Sequence, residues 1–126
     1  MPESGCTAKV LLVDNSVFII ERLLVILKEV KAIEKIFTAT HFGAAVNILE
    51  EKKIDIILLD IQLPDKNGIE LLKYIVHHFP ETTVIILSNL VNGYYQKLCT
   101  EAGAVGFIDK SKDFDNIEEM IISVLN

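Results

Sequence analysis

Ile54-Asp-Ile-Ile-Leu-Leu-Asp-Ile-Gln-Leu-Pro-Asp-Lys-Asn-Gly68 is the stretch whose reading decides the fold. Its centre, Ile56 to Leu59, is an unbroken apolar run, short enough for a strand and bounded by turn residues. A strand with no polar alternation is covered on both faces, as strands of parallel sheets are. The run stops at Asp60. Beyond it, Asp65-Lys-Asn-Gly68 is a turn cluster whose glycine can take a positive φ. An acid in that position is either an N-cap or solvated loop residue, or a functional carboxylate at the carboxyl end of a buried strand.

The flanking sequence repeats the pattern. Upstream, Lys9 to Val13 predicts a first strand ending on Asp14-Asn15-Ser16, and Ser16 can cap a helix with Val17, Ile20, Leu24 and Leu27 as its buried stripe. Phe18, Ile19, Leu23 and Ile26 make that helix apolar all round. Either part of it faces a partner, or two stripes pack on the sheet and on a neighbouring helix. Ile33 to Thr38 is a second strand, broken by Glu34 and Lys35 as an edge strand would be. His41 to Glu51 follows as a helix, with Ala44, Ala45, Ile48 and Leu49 inward and Lys52-Lys53 at its negative end.

Downstream, a helix from Gly68 to His78 carries Ile69, Leu72, Ile75 and Val76 and is stopped by Pro80. Thr83 to Leu87 is a fourth buried strand ending on Ser88-Asn89. Gly93 to Ala102 is a short helix with Gly103 as its C′ residue. Val105 to Ile108 is the fifth strand, ending on Asp109-Lys110, and Phe114 to Leu125 is the last helix, with Ile117, Ile121 and Val124 spaced for burial. Alternating strands and helices predict an α/β fold with five parallel strands, and the edge character of the second strand gives the order 2-1-3-4-5. Residues 1–126 read as one domain without linker or repeat. In such sheets ligands bind beyond the carboxyl ends of the strands, at the switch point between strands one and three.

Composition narrows the function. A net charge of −6, with no run of lysine or arginine, argues against a nucleic-acid-binding surface. No apolar run approaches the ~20 residues that cross a bilayer, and the start Met-Pro-Glu-Ser-Gly-Cys predicts no secretory segment. Cys6 and Cys99 have neither metal-ligand nor redox spacing and predict a reducing cytoplasm. His77 and His78, being adjacent, point to different helix faces, and Gly103 to Gly106 lacks the lysine of a phosphate loop.

Asp14, Asn15, Asp60, Ser88 and Lys110 therefore converge on one sheet edge. Two carboxylates ~4 Å apart repel by roughly 4 kcal/mol at an effective dielectric of 20, and a divalent cation with oxygen ligands relieves this. A carboxylate there can act as a nucleophile toward phosphorus, with Lys110 as a mobile point charge and Ser88 as a hydroxyl donor.

Val10-Leu-Leu-Val-Asp-Asn15, Leu58-Leu-Asp-Ile-Gln-Leu-Pro-Asp-Lys-Asn-Gly68, Ile85-Ile-Leu-Ser88 and Ala102-Gly-Ala-Val-Gly-Phe-Ile-Asp-Lys110 together resemble the receiver domain of bacterial two-component response regulators, over essentially the whole chain. The resemblance implies the flavodoxin-like (βα)5 fold. It implies Asp60 as phosphoacceptor, and Asp14, Asn15, Asp60 and the backbone carbonyl of Gln62 around a magnesium ion. Ser88 is then the switch hydroxyl, Lys110 the lysine that contacts the phosphoryl group, and Phe107 the aromatic coupled to the switch. It further implies an output surface including Tyr94, Tyr95, Phe107 and Ile117. The expected partners are a histidine kinase or phosphotransfer protein and a downstream protein target, with no direct nucleic-acid or membrane contact; a homodimer is left open. The protein is then no enzyme beyond its self-catalysed phosphorylation and dephosphorylation, and acts as a stand-alone switch in the cytoplasm.

Two departures stand out. Asn15 replaces the family's second acid, which predicts weaker magnesium binding and slower phosphorylation and dephosphorylation. Ser111 replaces the usual proline, and because a cis bond before serine costs ~2.5–4 kcal/mol a trans Lys110–Ser111 bond, or a strained cis one, is expected. Asn15 also sustains a rival reading, a phosphorylation-independent interaction module. A small phosphatase using Asp60 as nucleophile lacks a second acid placed as general acid.

Overall fold

The computed structural model describes residues 8–89, 93–110 and 114–125. The chain order is β1 (Ala8–Val13), α1 (Val17–Leu27), β2 (Ile33–Ala39), α2 (Phe42–Glu51), β3 (Ile56–Asp60), α3 (Gly68–His78), β4 (Thr83–Ser88), α4 (Gly93–Glu101), β5 (Gly106–Asp109), a 3-10 turn (Phe114–Asn116) and α5 (Ile117–Leu125). The five strands form one parallel sheet in the order β2-β1-β3-β4-β5, as expected. Lys110–Ser111 and Cys6 lie outside the described residues.

The apolar run of β3 is buried on both faces because its side chains alternate between two cores. Ile57 and Leu59 join Leu11, Val84 and Ile86 in a core closed by α2, α3 and α4. Ile56 and Leu58 join Val10, Leu12, Ile85 and Leu87 in a second core closed by α1 and α5. Among the described residues β2 pairs only with β1, and its polar residues Glu34 and Lys35 are exposed at that edge.

Helix ends follow local chemistry. Ser16 caps α1, its Oγ accepting from Ile19 N–H at 3.3 Å. Asn67 caps α3, its Oδ1 accepting from Ile69 N–H at 2.7 Å. α4 closes on Gly103, whose φ of 114° is left-handed. There Gly103 N–H donates to Thr100 and Ala104 N–H to Cys99, a Schellman pair that satisfies two terminal carbonyls.

Three expectations are corrected, two about burial and one about backbone conformation. The buried stripe of α1 is Ile20, Leu23 and Leu27, while Val17 is exposed and Leu24 only half-buried. Capping by Ser16 places Val17 at the helix mouth, beyond the sheet. The apolar surplus of α1 is thus divided: Ile19, Leu24 and Ile26 pack partly on the second core, whereas Val17, Phe18 and Val25 stay exposed. In α3, Leu71 is buried and Val76 is exposed at the flank, lying over Gly103, where a Cβ would approach Val76 Cγ2 to 2.7 Å.

Gly68 is the third correction. It needs no positive φ, because Gly103 is the sole glycine of that kind among the described residues. Its requirement is close approach: Gly68 N–H donates to Ile61 O at 2.6 Å, and a Cβ would lie 2.7 Å from that oxygen.

Candidate functional site

Strand ends β1, β3, β4 and β5 deliver the polar residues to one edge, and the sheet's own ladder fixes them. Asp14 N–H donates to Ala39 O at 3.1 Å and Lys110 N–H to Ser88 O at 3.0 Å, so both residues continue their strands' hydrogen bonding. Asp60 is itself the last ladder residue of β3, opposite Leu87. Ser88 and Asp109 also belong to their strands rather than to loops, as mutual partners in the ladder.

Among the described residues the buried polar ones are Asp14, Asp60, Ser88 and Asp109. Three of the charged groups meet directly. Lys110 Nζ lies 2.7 Å from Asp14 Oδ2 and 3.2 Å from Asp60 Oδ2, with its side chain 8% exposed. The other carboxylate oxygens accept backbone donors: Asp14 Oδ1 from Ser16 N–H at 2.9 Å, and Asp60 Oδ1 from Gln62 N–H at 3.0 Å. Two negative charges thus share one positive charge out of water, leaving the cluster one charge short of neutral.

That imbalance shows in Asp60. Burial pushes its carboxyl above the ordinary value of 3.8, and the Asp14 carboxylate adds to the effect. The Gln62 N–H and the Lys110 ammonium oppose the rise without cancelling it.

The donors that face this edge are oxygens: the two carboxylates, the exposed Asn15 beside Asp14, and the backbone of the loop after Asp60. Hard oxygen donors with one or two carboxylates suit magnesium, whereas zinc prefers nitrogen and sulfur. Among the described residues no group of three or more His, Cys, Asp or Glu side chains stands ready to hold a metal ion. A cation at this edge therefore depends on two acids, an amide and backbone carbonyls. The side chain of Gln62 is exposed, and its backbone is fixed by a bridge to Asn67.

The expected output surface divides. Tyr94 is 70% exposed and meets Tyr95 edge-on, with ring centroids 5.4 Å apart. Tyr95 and Phe107 are half-buried against the core under α4. Ile117 does not belong with them: it is fully buried in the opposite core with Phe114 and Ile121. It begins α5 on the stripe that packs against the sheet, so it cannot present a contact surface.

Two residues at the rim escaped the reading of the sequence. Asp65, in the loop after β3, accepts the N–H groups of Phe42 at 2.8 Å and Gly43 at 3.1 Å, the first turn of α2. His41, read as the first residue of this helix, is instead its cap, with Nδ1 accepting from Ala44 N–H at 3.2 Å. The signals were present, an acid in a turn cluster and a polar residue before a helix, but nothing in the sequence brings these two segments together. His78 stacks on Tyr74, with ring centroids 4.2 Å apart.

Among the described residues no helix is long and apolar enough to cross a membrane. Over 94 residues, 75% of this chain, the sequence is 34% identical to the DNA-binding transcriptional activator EvgA of Escherichia coli (strain K12), of which that match covers 46%. It is 32% identical over 120 residues to a protein-glutamate methylesterase/protein-glutamine glutaminase of Bacillus subtilis (strain 168), covering 90% of this chain and 34% of that one. The chain thus spans half or less of these relatives' length. The response regulator domain of Thermotoga maritima CheB superposes with a TM-score of 0.81 at 30% identity, covering 94% of this chain and 93% of that one. A LuxR-family two-component response regulator from Aurantimonas sp. SI85-9A1 gives 0.87 at 25% identity, covering 94% and 85%. With residues 10–122 matching the family as a whole, the chain belongs to the response regulator receiver domains of two-component signalling.

Proposed function

We propose that the protein is a stand-alone cytoplasmic receiver that takes a phosphoryl group onto Asp60 from a histidine kinase or phosphotransfer protein, and then docks on a protein target. The observation that carries this reading is the buried Asp60 carboxylate, 3.2 Å from a lysine that also holds Asp14. A carboxylate oxygen of Asp60 attacks phosphorus; the new O–P bond forms as the bond to the donor's leaving group breaks, and the leaving group departs with that electron pair. Lys110, long and flexible, can follow the charge from the carboxylates to the phosphoryl oxygens. Ser88, at the neighbouring strand end, supplies a hydroxyl to the same oxygens and couples the event to Phe107 and the α4 side of the sheet. Asp14, Asn15, Asp60 and the Gln62 carbonyl would hold magnesium, which supplies charge neutralisation on the transferring oxygens.

In this role the protein is consumed and regenerated by its own chemistry and turns over no separate substrate. The DNA-binding activity named for one relative belongs to a protein about twice as long in its match; a net charge of −6 favours a protein target here. A homodimer through the α4 face is one such target. Incubation with a small phosphodonor and magnesium, followed by intact-mass spectrometry, tests the reading. The expected result is a single phosphoryl adduct, lost in Asp60→Ala. Detection of the native protein at the 14.1 kDa of this sequence tests its action as a stand-alone domain.

One observation favours a second reading. Asn15 removes a negative charge from the metal-facing edge, and a phosphorylation-independent interaction module would tolerate that loss. No adduct at any magnesium concentration is the outcome that selects it.

A further inference from the structure

We infer that Asp65 is a positioning residue for phosphoryl transfer, clamping the loop that carries Gln62 to the N-terminus of α2. The inference rests on the proposed role of Asp60. The loop from 61 to 68 has a closed base and an open tip. At the base, Gly68 N–H donates to Ile61 O and Gln62 bridges to Asn67. Leu63 packs partly on the first core, but beyond it the tip has no sheet or core to rest on: Pro64, Asp65 and Lys66 are all exposed. What ties it down is side-chain chemistry to another element.

Asp65 spreads its two oxygens over two adjacent donors, Oδ1 on Phe42 N–H and Oδ2 on Gly43 N–H. Both are first-turn N–H groups, which no carbonyl of α2 can satisfy, and the helix dipole favours a negative charge there. A bidentate carboxylate on consecutive backbone donors fixes orientation as well as distance. Lys66 adds a contact to the same helix, its Nζ 4.9 Å from the centre of the Phe42 ring. His41 Nδ1 lies 3.5 Å from Asp65 Oδ2, but because it accepts from Ala44 N–H the ring is assigned its proton on Nε2 and has none to share with the carboxylate. The backbone donors are therefore the clamp.

The consequence reaches Asp60 through three residues of loop. Gln62 N–H is the donor that orients Asp60 Oδ1, and the Gln62 carbonyl belongs to the same peptide segment. A loop pinned only at its base lets that segment rock; one pinned at base and tip holds it.

Amide exchange of Gln62 N–H, measured by NMR on the metal-free, unphosphorylated protein, gives the first test, with Asp65→Ala, Asp65→Asn and Lys66→Ala compared. Asp65→Ala should speed that exchange roughly five- to tenfold, as expected for opening a segment that has lost one or two bonds to a charged acceptor. Asp65→Asn keeps one acceptor oxygen and should fall between; Lys66→Ala, which removes only the ring contact, should speed exchange less than Asp65→Asn does. In the second test, the magnesium concentration giving half-maximal phosphorylation should rise in Asp65→Ala by a similar factor, with the dependence on phosphodonor unchanged. Unchanged Gln62 exchange in Asp65→Ala overturns the inference whatever the phosphorylation result. Faster exchange with unchanged magnesium dependence also overturns it, leaving Asp65 a helix cap alone. If the parent protein takes up no phosphoryl group, it is the role of Asp60 that fails, while the exchange test still decides whether the clamp orients Gln62.

Discussion

Replacing Asp60 by asparagine should stabilise the protein near neutral pH while abolishing the phosphorylation proposed above. Because the Oδ2 atoms of Asp14 and Asp60 lie 2.7 and 3.2 Å from one ammonium, they can be no more than about 6 Å apart. At that distance, and at an effective dielectric of 20, their repulsion is about 3 kcal/mol, against an attraction of Asp60 to Lys110 of about 5 kcal/mol. Burying the carboxylate costs several kcal/mol more, and the upward displacement of the Asp60 pKa gives the sign of the sum: the ionised form is disfavoured by folding. Asparagine keeps an oxygen for Gln62 N–H, and Lys110 keeps Asp14. We expect Asp60→Asn to be more stable than the parent at pH 7 and to melt at a higher temperature.

The pH dependence makes the test specific. With a folded pKa above 3.8, Asp60 binds more protons in the native state than in the unfolded chain between those two values. Its contribution therefore favours folding at low pH and is lost as pH rises through the raised pKa. The advantage of Asp60→Asn should accordingly be small below 3.8, grow through the raised pKa, and level off above it. Urea unfolding of both proteins across this range measures the difference. A variant equal to or less stable than the parent at pH 7 would refute the reasoning.

Three further outcomes are expected. Asn15→Asp should tighten magnesium binding by about tenfold, since a carboxylate replaces an amide at an exposed donor position, and should speed both phosphorylation and dephosphorylation; a calorimetric titration giving equal affinities would count against the assigned edge. Gly68→Ala should cost about 2–3 kcal/mol in urea unfolding, because its Cβ would press on Ile61 backbone that cannot yield without moving Asp60's own strand end. Ile117→Ala should cost about 2–5 kcal/mol as a core truncation, whereas Tyr94→Ala should change stability by less than about 0.5 kcal/mol and weaken target binding in a pull-down or titration.

What was legible in the sequence, and what was not, divides along a physical line. The strand order and the convergence of Asp14, Asp60, Ser88 and Lys110 could be read because a parallel sheet buried on both faces leaves a one-dimensional trace, apolar runs that end in polar residues. Side-chain facing along a helix is harder. Ile117 was spaced for burial and also implied by family resemblance as a surface residue, and the stripe it shares with Ile121 decided between the two. Gly68 was read for turn geometry, yet its constraint is the Asp60 and Ile61 backbone crowding its α-carbon, which only the folded loop brings there. Asp65 lies furthest from the sequence: its partners Phe42 and Gly43 are more than twenty positions away, and their N–H groups carry no side-chain signature at all. Backbone donors are written in every sequence alike, so a site that depends on them can be found only once the chain is folded. That is why the carboxylate cluster of this receiver was visible at the outset and the clamp on its neighbouring loop was not.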